Sequence, residues 1–250
     1  MEATNTHKTI NLNRMKKNIV ICGLFLLACT ACKRDKYYKD GGLAQAKFPG
    51  NMVEYLDAHP VPFDTIAQIV RLAGLEEMFS KDTITFFAPD DEVIKNTIGT
   101  IYTDGLNRAL YFSGKDTVKE LSEIDPAIWR KYLLQYVFRG ANMLKDYPQI
   151  DFERVNIYPG ALYYNLAGNV MNIGVKFGDA NGIKYLGYRQ LVLSYIPDIS
   201  RPDDNWQTND ISSSDIQPTN GVVHALKPSG NYFGFNIYNF FTEVYNAGLK

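Results

Sequence analysis

The stretch Ile84-Thr85-Phe86-Phe87-Ala88-Pro89-Asp90-Asp91-Glu92-Val93 decides the fold. Its first half is β-branched and aromatic, the composition of a half- or fully buried strand. Thr83 to Ala88 is therefore predicted as a strand, with Ile84 and Phe86 on one face. Pro89 stops it, because proline has no N–H to donate to a ladder. Asp90, Asp91 and Glu92 then open a helix, their carboxylates set against the positive end of its dipole.

Upstream, Asn51 can cap a short helix to Ala58, which His59-Pro60 ends. Asp64 can cap the next helix, where Ile66, Ile69, Val70 and Ala73 recur at helical spacing and Gly74 closes the C-terminal end. Downstream, Asp125-Pro126 marks a helix start, and Trp129, Tyr132, Leu133, Tyr136 and Val137 form a stripe that points into a core. After Gly140 the pattern changes to strands. Met171, Ile173, Val175 and Phe177 alternate with Asn172, Gly174 and Lys176, and after a turn at 178–182 the segment Ile183 to Ile196 returns as the second arm of a hairpin. Leu191-Val192-Leu193 reads as buried on both faces. Residues 197–219, rich in Pro, Asp, Asn and Ser, read as a surface loop. Asn220-Gly221 is a tight turn before the strand Val222 to Leu226, and Ile237, Phe240, Phe241, Val244 and Tyr245 repeat as an amphipathic C-terminal helix over part of 229–250. Helices, one strand, helices and then mostly strands make an α+β order rather than an alternating βαβ one.

The amino terminus has a different character. Lys16 and Lys17 follow Met15, and Ile19 to Ala28 runs almost without a polar atom. A bilayer-spanning helix needs about 20 such residues, whereas a signal-peptide core needs only about 7–15. Residues 15–31 are expected to be a cleaved export signal and residues 1–14 an over-extended start. The signal ends Leu26-Leu27-Ala28-Cys29-Thr30-Ala31-Cys32, which resembles the lipobox of bacterial lipoproteins. Cys32, preceded by the small pair Thr30-Ala31, is the expected lipidated residue; Cys29, with a bulky Leu27 before Ala28, is the competing one. Residues 32–47 read as a tether between lipid and domain. No aspartate follows Cys32, and by the lipoprotein resemblance this favours the outer membrane.

Composition excludes several classes. The three cysteines, Cys22, Cys29 and Cys32, all lie in or at the end of the leader. The folded body therefore has no disulfide framework, thiolate zinc site or cysteine nucleophile. The formal net charge is −1 and no basic stripe occurs, so nucleic acid is not an expected partner. Aromatic residues are abundant, with 17 Tyr and 14 Phe, and these serve cores and binding surfaces alike.

Two segments carry a family resemblance. Ile84 to Val93, with Phe86-Phe87-Ala88-Pro89-Asp90 at its centre, is similar to the first signature of the fasciclin-like domain family. Thr219-Asn220-Gly221-Val222-Val223-His224-Ala225-Leu226 resembles its second. Between them, Leu134 to Gly140 occupies the place of the family's central segment, and Ala73-Gly74-Leu75 resembles its usual lead-in. The resemblance spans about 48 to 228. It implies a single fasciclin-like α+β domain, a wedge-like β-sheet core with helices packed around it. It also implies a non-catalytic module of cell adhesion or matrix contact. Tyr136 stands where the family's central segment usually has histidine, and 161–217 is longer than a typical module needs. The Tyr-His adhesion mechanism linked with animal members is therefore not carried over.

Candidate site residues are few. His224 could be a ligand or a base, but with only His59 besides it outside the leader there is no histidine cluster for zinc; it reads as a structural histidine tying its strand to a loop. Asp90, Asp91 and Glu92 read as helix-start chemistry. Asp198, Asp203, Asp204, Asn205 and Asp210 lack the spacing of a calcium loop. Trp206, among polar neighbours, could stack on a sugar ring or pin its loop to the core, and Tyr188 is a second aromatic that could meet a glycan. No metal, cofactor or catalytic set is expected. The expected partners are the membrane, through the lipid, and a protein or glycan at the cell surface, with an accessory role in glycan uptake as the second functional reading.

Overall fold

The computed structural model describes residues 46–201, 205–227 and 232–250. The export signal, Cys29, Cys32, nearly all of the tether, Asp203 and Asp204 lie outside the described residues.

Helix α1 (Met52–Ala58) begins with a reciprocal cap: Asn51 Oδ1 accepts from Glu54 N at 3.0 Å, and Glu54 Oε2 accepts from Asn51 N at 2.7 Å. Helix α2 (Pro60–Leu72) buries Phe63, Ile66, Ile69 and Val70 and ends at Gly74, whose φ is +62°. The expected cap at Asp64 is not formed. The helix starts upstream at Pro60, with non-helical backbone at Val61 and Pro62, and Thr65 N donates instead to Asp91 Oδ1 at 3.0 Å. The capping oxygen comes from another helix.

After α3 (Glu76–Lys81) the chain enters strand β1 (Ile84–Ala88), all five residues of which are buried. Phe86 packs edge-on against Phe79 at 5.0 Å, while Phe87 faces Phe138 at 5.4 Å and His224 at 5.0 Å. Both faces of the strand are therefore covered. Pro89 ends it, and Asp90 caps α4 (Asp91–Ile98) by accepting from Val93 N at 3.1 Å. Helices α5 (Leu106–Phe112) and α6 (Pro126–Leu133) follow. Asp125 caps α6, and Trp129, Tyr132 and Leu133 lie in the core with Tyr136 and Val137. Trp129 Nε1 donates to Leu121 O at 2.9 Å, satisfying its buried polar end.

The remaining strands are β2 (Val137–Arg139), β3 (Gln149–Ile150), β4 (Ala161–Tyr164), β5 (Val170–Phe177), β6 (Arg189–Tyr195), β7 (Gln207–Ile216) and β8 (Gly221–Leu226). They form one sheet in the order β2-β1-β8-β7-β6-β5-β3, with β4 also on β5. β3 and β4 share the outer edge of β5, the first in parallel and the second antiparallel. The architecture is α+β.

Two strand assignments differ from the sequence expectation. The hairpin arm does not start at Ile183. Gly178 N donates to Tyr188 O at 2.8 Å and Gly187 N donates to Gly178 O at 2.7 Å, closing the ladder, so β6 starts at Arg189 and 179–186 is a loop. The second difference is β7, ten residues inside the stretch read as a loop. Its first part pairs with β6 and its second with β8, with register shifts at Ile211/Ser213 and Ser213/Ile216. Its polar side chains have partners: Thr208 with Ser194 at 2.8 Å, Asp210 with Lys176, and Ser212 Oγ to Ala225 O at 3.1 Å. Each part of the strand has a ladder partner, so its backbone is paired whatever its composition.

Helix α7 (Ile237–Ala247) closes the fold. Phe240 and Val244 are buried, and Phe240 meets Trp129 at 5.4 Å and Tyr132 at 5.1 Å.

Candidate ligand groove

The two signature segments meet on adjacent strands, β1 and β8, which run parallel in the register Ile84↔Gly221 to Ala88↔Ala225. Asn220 organises their entry. Its Oδ1 accepts from Met52 N at 2.9 Å, and its Nδ2 donates to Phe79 O and Asp82 O, both at 2.9 Å. Gly221 permits the close approach, since a Cβ there would sit 2.0 Å from Ile84 O. Val222 and Val223 are buried.

His224 is fully buried, with both ring nitrogens engaged. Asp215 N donates to Nδ1 at 3.2 Å, so the proton lies on Nε2, which donates to Asn142 O at 3.0 Å. Burial pushes its pKa down to about 4, against a weaker opposing pull from the Asn142 carbonyl and Asp215. The imidazole is neutral and joins β8 to β7 and to the loop after β2. Its ring neighbours are Phe87 and Tyr147, not a nucleophile. Asp90 is buried as a cap, and burial raises its pKa. Asp91 is pushed up to about 6, chiefly by burial and then by the carboxylate of Asp64, whose own pKa is lowered by its hydrogen bonds to Asp91 and Thr65.

The acids of the 198–210 stretch do not converge: Asp198 accepts from Ser200 and Arg201, while Asp210 pairs with Lys176. Among the described residues no group of three or more His, Cys, Asp or Glu side chains could hold a metal ion. Trp206 precedes β7 and is half-buried, its ring edge-on to Phe152 at 6.0 Å. Tyr188 precedes β6 and is 71% exposed. The register places these two at opposite ends of β6.

A feature that sequence reasoning missed lies between α5 and α7, a groove of about 590 Å³. Helix α5 is seated by its buried face, Leu106, Asn107 and Leu110. Asn107 is a two-way clamp: its Nδ2 donates to Val118 O at 2.9 Å and its Oδ1 accepts from Val118 N at 2.7 Å. Gly105 lets the helix start against Gly99, whose Cα would be 2.7 Å from an added Cβ. The other wall is α7, whose lead-in is bolted to the core. Phe233 N donates to Thr97 Oγ1 at 2.7 Å, and Gly234 N to the Tyr136 hydroxyl at 2.8 Å. Tyr136 is thus a buried anchor stacked between Phe233 at 5.6 Å and Phe235 at 4.6 Å, and burial pushes its pKa far up.

Leu106, Ala109 and Leu110 of α5 and Ile237 of α7 give the groove apolar lining, and more exposed side chains complete it. Phe112 and Arg108 come from α5, Tyr238, Phe241 and Tyr245 from α7, and Tyr232 and Asp104 from the adjoining segments. Phe112 is 72% and Tyr238 76% exposed. Arg108 lies 3.7 Å from Asp104 and 5.6 Å over the Phe112 ring. Lys115 sits 3.5 Å over the Tyr245 ring and donates to Tyr245 O at 2.6 Å. An exposed aromatic concavity with a balanced pair of charges can bind; it presents no nucleophile–base pair. A smaller cavity, about 290 Å³, lies beside β2, lined by Arg139, Asn142, Tyr147, Tyr163 and Asn165 among others. The sequence did carry a signal for the larger groove: Tyr238, Phe241 and Tyr245 form a second apolar row beside Phe240 and Val244, wider than one core contact requires.

No family model matches the chain, and no curated protein matches it. Among solved structures it is similar to a FAS1 domain pair from the insect cell adhesion molecule fasciclin I, at 14% sequence identity and a TM-score of 0.43, covering 71% of this chain. The match covers 50% of that chain, so this protein spans about half its length.

Proposed function

We propose that the protein is a non-catalytic binding module, displayed on the outer membrane by a lipid on Cys32, and that it holds its partner in the aromatic groove between α5 and α7. The observation that carries this reading is the exposure of Phe112 and Tyr238 in a concavity whose walls are otherwise firmly seated. Aromatic and aliphatic side chains lining one concavity, with a few polar groups among them, are the composition of ligand sites. The resemblance of Ile84 to Val93 and Thr219 to Leu226 to the fasciclin-like signatures supports the same class. So does the engagement of Asn220, Asp90 and His224 in holding the scaffold.

The test uses cells that produce the full chain. Their attachment to immobilised cell-surface and matrix preparations is compared with that of cells producing a Phe112→Ala/Tyr238→Ala double variant. Attachment is expected to fall at least ten-fold, with equal surface amounts of protein. Unchanged attachment would sink the groove as the binding face. In the same cells Cys32→Ser should move the protein out of the membrane fraction, while retention in that fraction would shift the anchor to Cys29.

A further inference from the structure

Resting on that reading of the groove, we infer that its ligand is a neutral oligosaccharide. The lining sets the chemistry. A sugar ring is amphipathic: its axial C–H groups form a weakly positive apolar face, and its equatorial hydroxyls form a polar edge. Aromatic faces carry negative quadrupole density and attract such C–H faces. Phe112 of α5 and Tyr238 of α7, both exposed, contribute rings of this kind to the lining.

The polar groups suit the edge of the same ring. Asp104 accepts only, Arg108 donates only, and they lie 3.7 Å apart. Neighbouring hydroxyls can each donate and accept, so one can donate to the carboxylate while the next accepts from the guanidinium.

Charge gives an anionic ligand no advantage. Asp104 and Arg108 cancel within the lining, and the nearby Lys115 is committed to the carbonyl and ring of Tyr245. An anion would enter without an uncompensated cation to receive it. An extended peptide fits less well because both walls are helices, whose backbone groups bond within themselves and offer no open ladder. A docked amphipathic helix could cover the apolar lining of Leu106, Leu110, Ile237 and Phe241, but its apolar stripe would leave the Asp104–Arg108 pair, Thr242 and the tyrosine hydroxyls without the polar partners that sugar hydroxyls supply. The volume, about 590 Å³, lies within the range of small-ligand sites.

The full-length protein in nanodiscs is titrated calorimetrically with neutral cello-, malto-, xylo-, manno- and laminari-oligosaccharides, and in parallel with oligogalacturonate and heparin fragments. At least one neutral series is expected to bind, with affinity falling ten-fold or more in Tyr238→Ala and in Phe112→Ala. Leu162→Ala, on β4 and outside the groove lining, should bind as the parent does. Both groove side chains are exposed, so thermal midpoints should stay within about 2 °C of the parent. Binding of the anionic oligomers alone, or neutral binding indifferent to both groove variants, overturns the inference. The underlying reading fails differently. Attachment that Tyr238→Ala abolishes but that survives enzymatic deglycosylation of the target leaves the groove as the binding face and removes the sugar. Attachment indifferent to Tyr238→Ala removes the groove itself.

Discussion

Asn220→Ala should be the most damaging polar-to-alanine change among the signature residues. Asn220 makes three hydrogen bonds of 2.9 Å, to Met52 N at the start of α1, to Phe79 O in α3 and to Asp82 O just before β1. It therefore fixes three elements to the entrance of β8 at one point. A typical protein hydrogen bond contributes a net 0.5–1.5 kcal/mol, with buried partners left unpaired at the upper end. Two of these bonds are partly buried and the third is exposed, so the sum is about 3 kcal/mol. For a domain of about 200 residues that lowers the thermal midpoint by roughly 6–12 °C. The assay is urea and thermal unfolding followed by far-UV circular dichroism, with Asn220→Asp alongside. The aspartate keeps an acceptor for Met52 N but sets a carboxylate oxygen against the carbonyls of Phe79 and Asp82, so at pH 7 it should be no more stable than the alanine variant. An alanine variant within 0.5 kcal/mol of the parent, or an aspartate variant as stable as the parent, would refute this account of the turn.

Two pH-dependent predictions follow from the buried titratable groups. His224 is held neutral with a folded pKa of about 4, so the unfolded chain, near 6.5, takes up its proton first. Its contribution is therefore complete above pH 7, falls as pH drops from about 6.5 to about 4, and levels off at a loss of roughly 3 kcal/mol; His224→Gln should lack this slope, and an identical slope in the variant would dismiss it. Asp91 has the opposite sign: its folded pKa of about 6 lies above the unfolded value, so stability is lost as pH rises through roughly 3.8 to 6. Asp91→Asn keeps an acceptor for Thr65 N and removes the charge facing Asp64, so its thermal midpoint should exceed the parent's at pH 8 and match it near pH 4. A midpoint below the parent's at pH 8 would show that the carboxylate is needed as a cap.

The parts of the fold legible in sequence are those whose chemistry is local. Pro89 ends β1 because of its own missing N–H, and Asp90 and Asp125 cap helices whose first residues follow directly. Asp64 misled because it has the right residue type at the right place, yet the oxygen that caps Thr65 N belongs to Asp91. β7 was illegible for a different reason. Its ten residues contain only two large apolar side chains, Ile211 and Ile216, and two register shifts between them break the alternation that identifies a strand. What holds it is a ladder with β6 over its first part and with β8 over its second, supplied by residues that its own sequence does not encode. The groove is more remote still. Lys115 and Tyr245, joined across its end, are 130 positions apart, and helix α5 carried no motif of its own.

The signature residues and the groove residues also answer to different physical demands. Asn220, Gly221 and His224 have their hydrogen-bonding groups or their backbone space consumed by the scaffold, so none has a free polar atom to offer a ligand. Phe112 and Tyr238 are in the reverse position: both project into solvent, and losing either removes little burial. The resemblance at 84–93 and 219–226 can therefore specify how the chain folds while leaving open what it binds. On the binding role proposed above, the α5–α7 groove is a surface that the signatures do not fix. The two sets should separate in one experiment. Below its own midpoint, Asn220→Ala should bind the groove ligand as the parent does, whereas Tyr238→Ala should keep the parent's midpoint and lose the ligand. If both variants lost both properties, scaffold and binding face would be one coupled unit, and the groove could not be treated as a surface that changes independently of the fold.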